Sequence, residues 1–409
     1  MRKCRFTSEC AVAALLAVAS SVYAQESTTV GGALLSGTPE LSLRPRFEWA
    51  QDDAVPETAY GLTLRTLAGW RTGTYRDFEA FALLGSSVQI VDRFNDGRNG
   101  EIQYPFSNTP EKTDFTEAYL RWRGIEGVDS VVGRQKVDLD RTRFVGPNEF
   151  RQTQRWYQGV SATIDRIPRV GMYFGHFLRE RGPDTGQREL RVEMARADYE
   201  WAQDNTILAS AYLHDQVNAI GGTGFADTSY KILSLRGDGS TALNSQWQLD
   251  YTVERGIQRP YEGGDQRIRA DYWRLSLGAK RGHFFFSADY ELLGSNGGVY
   301  GMQTPLGLLH PSQGWADKFN RTPVTGVQDS WLSAGHSIGA YALYLEVHSF
   351  RSDFGSIDYG SEIDVRLDWN IRKDLQLRTE FAHFTADGDP ANTLTDADRA
   401  WVTLSWRIY

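Results

Sequence analysis

The sequence predicts an all-β protein, a transmembrane antiparallel β-barrel of about eighteen strands with short periplasmic turns and long extracellular loops. Three observations predict it: apolar and polar residues alternate along most of the chain, short and long connections alternate, and tryptophans recur at strand ends. We divide the chain into a signal peptide (1–24), a short periplasmic lead-in (25–40) and an outer-membrane barrel (41–409).

The first 24 residues have the three parts of a secretory signal peptide. Arg2, Lys3 and Arg5 form a positive start, residues 11–19 are apolar, and Val22-Tyr23-Ala24 precedes the expected cleavage. The apolar run is too short to cross a bilayer as a helix, which makes a retained anchor the weaker alternative. Export through the inner membrane and location in the outer membrane of a Gram-negative cell are therefore expected.

Both cysteines, Cys4 and Cys10, lie in this segment, so the mature chain has none. Disulfides, thiol nucleophiles and cysteine-ligated metal sites are excluded. The segment carries three basic residues and one acid, and its removal takes the formal net charge from −8 to −10. A chain of this charge lacks the basic footprint of a nucleic-acid-binding protein, and no nucleic-acid partner is expected.

The strands are predicted from alternation at period two, which gives one face to lipid and the other to water. A soluble sandwich also alternates, so the pattern alone does not decide between the two. Clear examples are Trp247, Leu249, Tyr251 and Val253 between Gln248, Asp250, Thr252 and Glu254, and Ile363, Val365, Leu367 and Trp369 between Asp364, Arg366, Asp368 and Asn370.

The connections distinguish a membrane barrel from a sandwich, because only the barrel has short turns at one end and long loops at the other. Short turns are predicted near 71–76, 124–127, 165–169, 202–205, 237–244, 280–283, 336–339 and 371–374. Long loops are predicted at 51–57, 92–113, 136–153, 180–188, 215–228, 256–266, 294–328, 352–359 and 386–398. Eight turns and nine loops imply eighteen strands with both termini in the periplasm.

Eight tryptophans fall at or near predicted strand ends, where interfacial aromatic girdles lie in membrane barrels. Ordinary packing inside the barrel is the alternative for any one of them. They are Trp49, Trp70, Trp122, Trp156, Trp201, Trp273, Trp331 and Trp369.

Two loop segments carry distinctive motifs. The first runs Gly133-Arg134-Gln135 and continues through Arg143-Phe144-Val145-Gly146, and the second is His310-Pro311-Ser312-Gln313-Gly314-Trp315-Ala316-Asp317-Lys318-Phe319. They resemble motifs of the alginate-export family of outer-membrane proteins. The resemblance implies a wide passive channel with an arginine-rich constriction that attracts a polyuronate. It assigns this constriction to Arg134, Arg141, Arg143, Arg151 and Arg155.

Arginine suits such a site because its planar fork pairs with carboxylates in a bidentate way. The alternative is that these arginines pair with Asp138, Asp140 and Glu149 and hold the loop folded. The longest loop, 294–328, offers Trp315 as a stacking face for a sugar, with Asp317 and Lys318 as polar anchors; a packed loop cap is the alternative there.

The predicted lumen face carries both charges in nearly equal number, whereas a pore for a polyanion needs a field of one sign. The basic positions are Arg44, Arg46, Arg65, Arg121, Arg123, Arg274, Arg366, Arg378 and Arg407. The acidic positions are Glu48, Glu117, Asp250, Glu254, Asp289, Glu291, Asp364, Asp368 and Glu380. An oligosaccharide or another small solute is therefore as consistent a substrate as alginate.

A barrel hydrolase and a structural or receptor barrel without a transport role are the alternative functions. Gly335-His336-Ser337-Ile338-Gly339 matches the G-x-S-x-G pattern of hydrolases, but alternation after it predicts a strand where that motif needs a helix. A plugged receptor needs a plug domain for which the lead-in is too short. The histidines show no metal spacing, and no enzyme activity, cofactor or metal is expected. The expected partners are outer-membrane lipid, lipopolysaccharide, the barrel-assembly machinery and a small solute, and the protein is expected to be a monomer.

Overall fold

The computed structural model describes residues 27–182, 187–216, 228–308 and 310–408, so the predicted signal peptide and its two cysteines lie outside the described residues. A short helix, α1 (Val30–Leu35), precedes eighteen strands. Thr29 caps this helix, because its hydroxyl accepts a hydrogen bond from the Gly32 N–H at 3.0 Å. In the part of the chain that the structure describes, no helix is long and apolar enough to cross a membrane.

The strands are β1 (Thr38–Asp52), β2 (Ala59–Arg71), β3 (Phe78–Arg93), β4 (Lys112–Ile125), β5 (Val128–Gln135), β6 (Trp156–Ile167), β7 (Val170–Arg181), β8 (Gln187–Ala202), β9 (Asn205–Asp215), β10 (Tyr230–Ala242), β11 (Trp247–Pro260), β12 (Ala270–Arg281), β13 (Phe284–Leu293), β14 (Val327–Ile338), β15 (Tyr341–Arg351), β16 (Asp358–Arg372), β17 (Leu375–Ala386) and β18 (Ala397–Arg407).

The sheet is a closed antiparallel barrel in which each strand pairs with the next along the chain. The circle closes where β1 pairs with β18, with Phe47 opposite Val402 and Asp52 opposite Ala397. Closure removes the free edges that an open sheet would leave unpaired, which is the condition for strands to cross a bilayer. The predicted eighteen-stranded barrel is confirmed.

The two faces of the barrel follow the predicted alternation. In β1, Phe47 is exposed on the outer face while Arg46 and Glu48 on either side of it are buried in the lumen. In β16, Ile363 and Leu367 are exposed outside and Asp364 is buried inside. The outer surface is therefore apolar and the lumen charged, as a barrel in lipid requires.

Two details differ from the sequence-based prediction. The turn predicted from Gly237 begins later, because residues 237–242 remain paired in β10. Trp156 lies at the start of β6 as predicted but is buried, with the guanidinium carbon of Arg134 3.9 Å from the centre of its ring. Trp70, Trp201 and Trp273 are exposed, as interfacial tryptophans are.

Candidate functional site: two loops inside the barrel

Two long loops leave the rim and pack together inside the barrel. We call them the β5–β6 loop (136–155) and the β13–β14 loop (294–326). Their backbones join directly: the Gly146 N–H donates to the Leu306 carbonyl at 2.9 Å, and the Leu308 N–H donates to the Thr142 carbonyl at 2.8 Å. Gly307 is required at this junction, because a Cβ there would lie 2.2 Å from the Arg143 carbonyl oxygen.

The tip of the β5–β6 loop is fastened to the wall formed by β8–β11. Asp140 accepts a hydrogen bond from Arg196 Nε at 2.9 Å and two short ones from the hydroxyls of Ser210 and Tyr212. Arg141 pairs with Asp238 at 2.8 Å. The backbone from Asp140 to Thr142 has positive φ angles, a strained conformation that these side-chain contacts hold in place.

Arg143 ties the two loops to β13. Its Nε donates to Glu291 at 2.7 Å, and its other nitrogens donate to Thr304 at 2.9 Å and Gln313 at 3.2 Å. Both members of the Arg143–Glu291 pair are buried. The pair therefore holds the loops in place and has no free donor fork for a passing solute.

Arg155 closes the base of the same assembly. Its Nε donates to Glu180 on β7 at 2.9 Å, and its Nη atoms donate to the carbonyls of Leu306 at 2.5 Å and Pro305 at 2.7 Å. The side chain is buried and satisfies backbone carbonyls of the β13–β14 loop.

Arg151 and Asp317 form the main ionic contact between the loops. Nη2 of Arg151 lies 2.6 Å from Oδ2 of Asp317, and Nδ1 of His310 lies 3.2 Å from Oδ1 of the same carboxylate. Burial by itself would raise the pKa of Asp317, but the charge of Arg151 and the contact with His310 hold it well below its usual range. Burial lowers the pKa of His310, which stacks on Phe150 with ring centroids 3.5 Å apart.

Trp315 and Lys318 attach the β13–β14 loop to strands β16 and β1. The backbone N–H groups of Trp315 and Ala316 both donate to Glu362 on β16, the second at 2.7 Å. The indole of Trp315 is buried and presents no open stacking face. Lys318 donates to Asp52 at 3.0 Å.

Arg134 differs from the other loop arginines. It shares the face of β5 with Val132, which is half exposed on the apolar outer surface. It pairs with Asp114 at 3.0 Å. Arg134 therefore lies on the outward face of β5, in contact with Trp156, and not with the other four predicted arginines inside the barrel.

A second cluster of charged side chains, centred on Lys136 and Glu149, remains partly accessible from the lumen. Lys136 lies 3.1 Å from Glu149 and 3.3 Å from Glu117, and Arg65 lies 3.6 Å from Glu149. Burial alone would raise the pKa of Glu149, but Lys136, Arg65 and Arg44 together lower it to about 2. Each accessible cation in this group is thus matched by a carboxylate.

The structure brings Arg141, Arg143, Arg151, Arg155, Trp315, Asp317 and Lys318 into one loop assembly inside the barrel. The arginines do pair with carboxylates, but mostly with partners distant in sequence. Asp140 pairs with Arg196, and Glu149 pairs with Lys136. Sequence reasoning missed Asp238, Glu180 and Glu362 as the anchors, because only the path of each loop brings them together.

The hydrolase pattern at 335–339 does not form a nucleophile elbow. Gly335–Ile338 is the end of β14, Gly339 and Ala340 make the turn, and β15 begins at Tyr341. The motif needs a helix after the serine, and this hairpin has a strand there.

Neither a family model nor a curated protein matches the sequence. Solved structures do match the fold. OccAB2 of Acinetobacter baumannii superposes with a TM-score of 0.73 at 11% identity, covering 93% of this chain and 100% of that one. The chain has the fold of an outer-membrane porin.

Two Pseudomonas aeruginosa structures give the same result. OccK9 (OpdG) has a TM-score of 0.71 at 15% identity and covers 92% of this chain and 99% of that one. OpdK, solved with vanillate, has a TM-score of 0.67 at 10% identity and covers 92% and 100%. Identities this low carry the fold and no further property.

Proposed function

We propose that this protein is an outer-membrane channel for passive passage of small polar solutes. The single observation that carries the proposal is the loop assembly: two loops fold into a closed, charge-lined barrel and are fastened to its wall by buried ion pairs. An apolar outer face supports a location in lipid, and the charged inner face supports a hydrated lumen. Loops fastened on several sides narrow such a lumen, and this favours small solutes over polymers.

The accessible charges define the selectivity we expect. Arg141 with Asp238, Arg196 with Asp198 and Lys280 with Asp250 are cation–carboxylate pairs that keep part of their surface accessible. A paired surface concentrates neither anions nor cations strongly, because the two fields cancel within a Debye length. We therefore propose a weakly selective channel.

The finer prediction from the alginate-export resemblance is a polyuronate channel. It gains no support from the loop arginines, since Arg143, Arg151 and Arg155 are buried and paired. It is kept as one outcome of the test. A small aromatic carboxylate such as vanillate, with which OpdK was crystallised, is another test solute.

The test is single-channel recording in planar bilayers with the purified mature protein. We expect discrete ion conductance with modest selectivity, measured as a reversal potential near zero in a salt gradient. Strong anion preference with block by polymannuronate would restore the polyuronate channel. Absence of conductance, with the barrel shown to be folded by its heat-dependent electrophoretic mobility, would refute the channel and leave a structural or receptor barrel.

A test variant changes the loop assembly without touching the membrane face, and a matched control changes an exposed ion pair. Asp317→Asn loosens the Arg151 contact between the loops. We expect larger or noisier conductance from this variant, because the loops narrow the lumen. Glu189→Gln, at an ion pair with both partners largely exposed, should conduct like the wild type.

A further inference from the structure

Five ionisable side chains meet on the lumen face of β14–β16 through cross-strand register. His348 pairs with Glu362, and Glu346 pairs with Asp364, so the four side chains sit at adjacent positions on two strands. Asp329 on β14 lies beside them. Glu346, His348 and Asp364 offer ligand atoms that all lie within 4.8 Å of one another.

The histidine is oriented toward the carboxylates. Nδ1 of His348 lies 2.9 Å from Asp329 Oδ1, and Nε2 lies 3.6 Å from Asp364 Oδ2 and 3.8 Å from Glu346 Oε2. A carboxylate on Nδ1 that leaves Nε2 facing two other carboxylates is the arrangement of a metal-binding histidine with its supporting acid.

Several of these groups are buried without a hydrogen bond. Asp364 is 0% exposed and, in its charged form, neither carboxylate oxygen receives a hydrogen bond; Nε2 of His348, which is 3% exposed, has no hydrogen-bond partner either. Oε2 of Glu362 is also buried and without a partner. Four carboxyl groups around one imidazole leave the cluster short of positive charge. Buried polar groups are rarely left unpaired, and a bound cation would supply the missing positive charge.

We propose that Glu346, His348 and Asp364 form a site for a divalent transition-metal cation, of which Zn²⁺ fits best. One imidazole nitrogen and two carboxylates are a ligand set that Zn²⁺ accepts, with a water molecule in the fourth tetrahedral position. Tetrahedral ligands at about 2.1 Å from the metal are about 3.4 Å apart. The distances from His348 Nε2 to the two carboxylates are close to that value.

The site would also act on the loop assembly. Oε1 of Glu362 accepts the N–H groups of Trp315 and Ala316, and Glu362 pairs in register with His348 of the site. A cation held by His348 and Asp364 would lie beside this carboxylate and favour its charged form, which accepts both loop N–H groups and so attaches the β13–β14 loop to β16. Glu346, 12% exposed, is the member through which the cation would enter from the lumen.

The alternative is a proton in place of the metal. Glu362 and Asp364 lie close enough for their carboxyl groups to share a hydrogen bond. A shared proton with a charged imidazole would also reduce the charge deficit, but it would create no affinity for Zn²⁺.

The experiment is Zn²⁺ binding to the full purified protein in detergent at neutral pH, after chelator treatment. We measure metal content by mass spectrometry after gel filtration and affinity by titration calorimetry, and we use Co²⁺ absorption to report tetrahedral ligation. We expect one Zn²⁺ per chain in the wild type and none in Asp364→Asn or His348→Gln. Asp329→Asn, which changes only the supporting acid, should bind about 10- to 100-fold more weakly.

His383→Gln is the matched control, because His383 is half exposed on the outer face of β17, where it pairs with Asp398 on the opposite side of the sheet from this cluster. It should bind Zn²⁺ like the wild type. Folding of each variant is scored by heat-dependent mobility, and Glu346→Gln, at the most exposed ligand, replaces any variant that fails to fold. No stoichiometric Zn²⁺ in the wild type, or equal retention by a folded Asp364→Asn, overturns the site. Binding is measured without conductance, so its failure is separate from failure of the channel.

Discussion

Removing the charge of Asp317 is the sharpest test of how the two loops are held. Asp317→Asn keeps the size of the side chain, and asparagine tolerates the φ of 62° at this position, so backbone strain does not confound the result. The buried guanidinium of Arg151, 2.6 Å from the carboxylate, loses its counter-ion.

The magnitude follows from the burial of both partners. Removal of one member of a buried ion pair costs about 3–5 kcal/mol, because the other charge stays buried without compensation. A cost of 1.4 kcal/mol is a factor of ten, so local opening of the β13–β14 loop should rise roughly 150- to 5,000-fold. The strands of the barrel should be unaffected, since their hydrogen bonds do not depend on this contact.

Hydrogen exchange measured by mass spectrometry separates loop opening from global unfolding. We expect faster exchange in peptides from 304–322 and unchanged exchange in peptides from β2 and β11. Glu189→Gln is the control: its pair with Arg179 is 3.8 Å long and 43% and 62% exposed, and such pairs contribute less than about 1 kcal/mol. If the loop of Asp317→Asn exchanges within about fivefold of the wild type, the ion pair does not hold the loops.

Three further predictions test other parts of the assembly. The pKa of Glu149 is lowered from 4.5 to about 2, which corresponds to about 3 kcal/mol of folding stability. This contribution is present above pH 4.5 and is lost as the pH falls toward 2. Glu149→Gln should therefore make the free energy of unfolding, followed by tryptophan fluorescence, less dependent on pH in this range. Gly314→Ala places a Cβ 2.5 Å from the Glu362 carboxylate and should speed hydrogen exchange of the β13–β14 loop. Gly339→Ala is the control, because its Cβ, also at positive φ, meets nothing within 4 Å and should leave this exchange unchanged. Arg141→Ala removes a part-exposed cation and leaves its carboxylate partner, so the reversal potential should move toward cation selectivity.

The contact between the two loops should also weaken at low pH. Burial lowers the pKa of His310, so this side chain binds a proton more readily in the unfolded or opened chain than in the folded loop. Protonation below about pH 6.5 therefore favours the opened loop, and the contact weakens on acidification. Asp317, whose pKa is lowered, loses its contribution only at much lower pH. A loop-opening free energy that is the same at pH 7 and pH 5, after correction for the intrinsic pH dependence of amide exchange, would contradict the burial of His310.

The strands and turns of this protein were predictable because their signals are local. Alternation at period two reports which side of a strand faces water, and glycine-rich stretches of unequal length report the two ends of the barrel. Phe47 between Arg46 and Glu48 is an example, because these three adjacent residues show which face of β1 is apolar and which is charged. The strand number and the charged lumen therefore followed from the amino-acid sequence alone.

The pairings inside the lumen were decided by the tertiary structure. Arg143 meets Glu291, which lies 148 positions away, and Arg151 meets Asp317 at a separation of 166. No local pattern encodes such contacts, because they depend on how far each loop reaches into the barrel. The four-residue cluster around His348 arises in the same way, since the register of β15 against β16 brings together side chains that no sequence spacing connects.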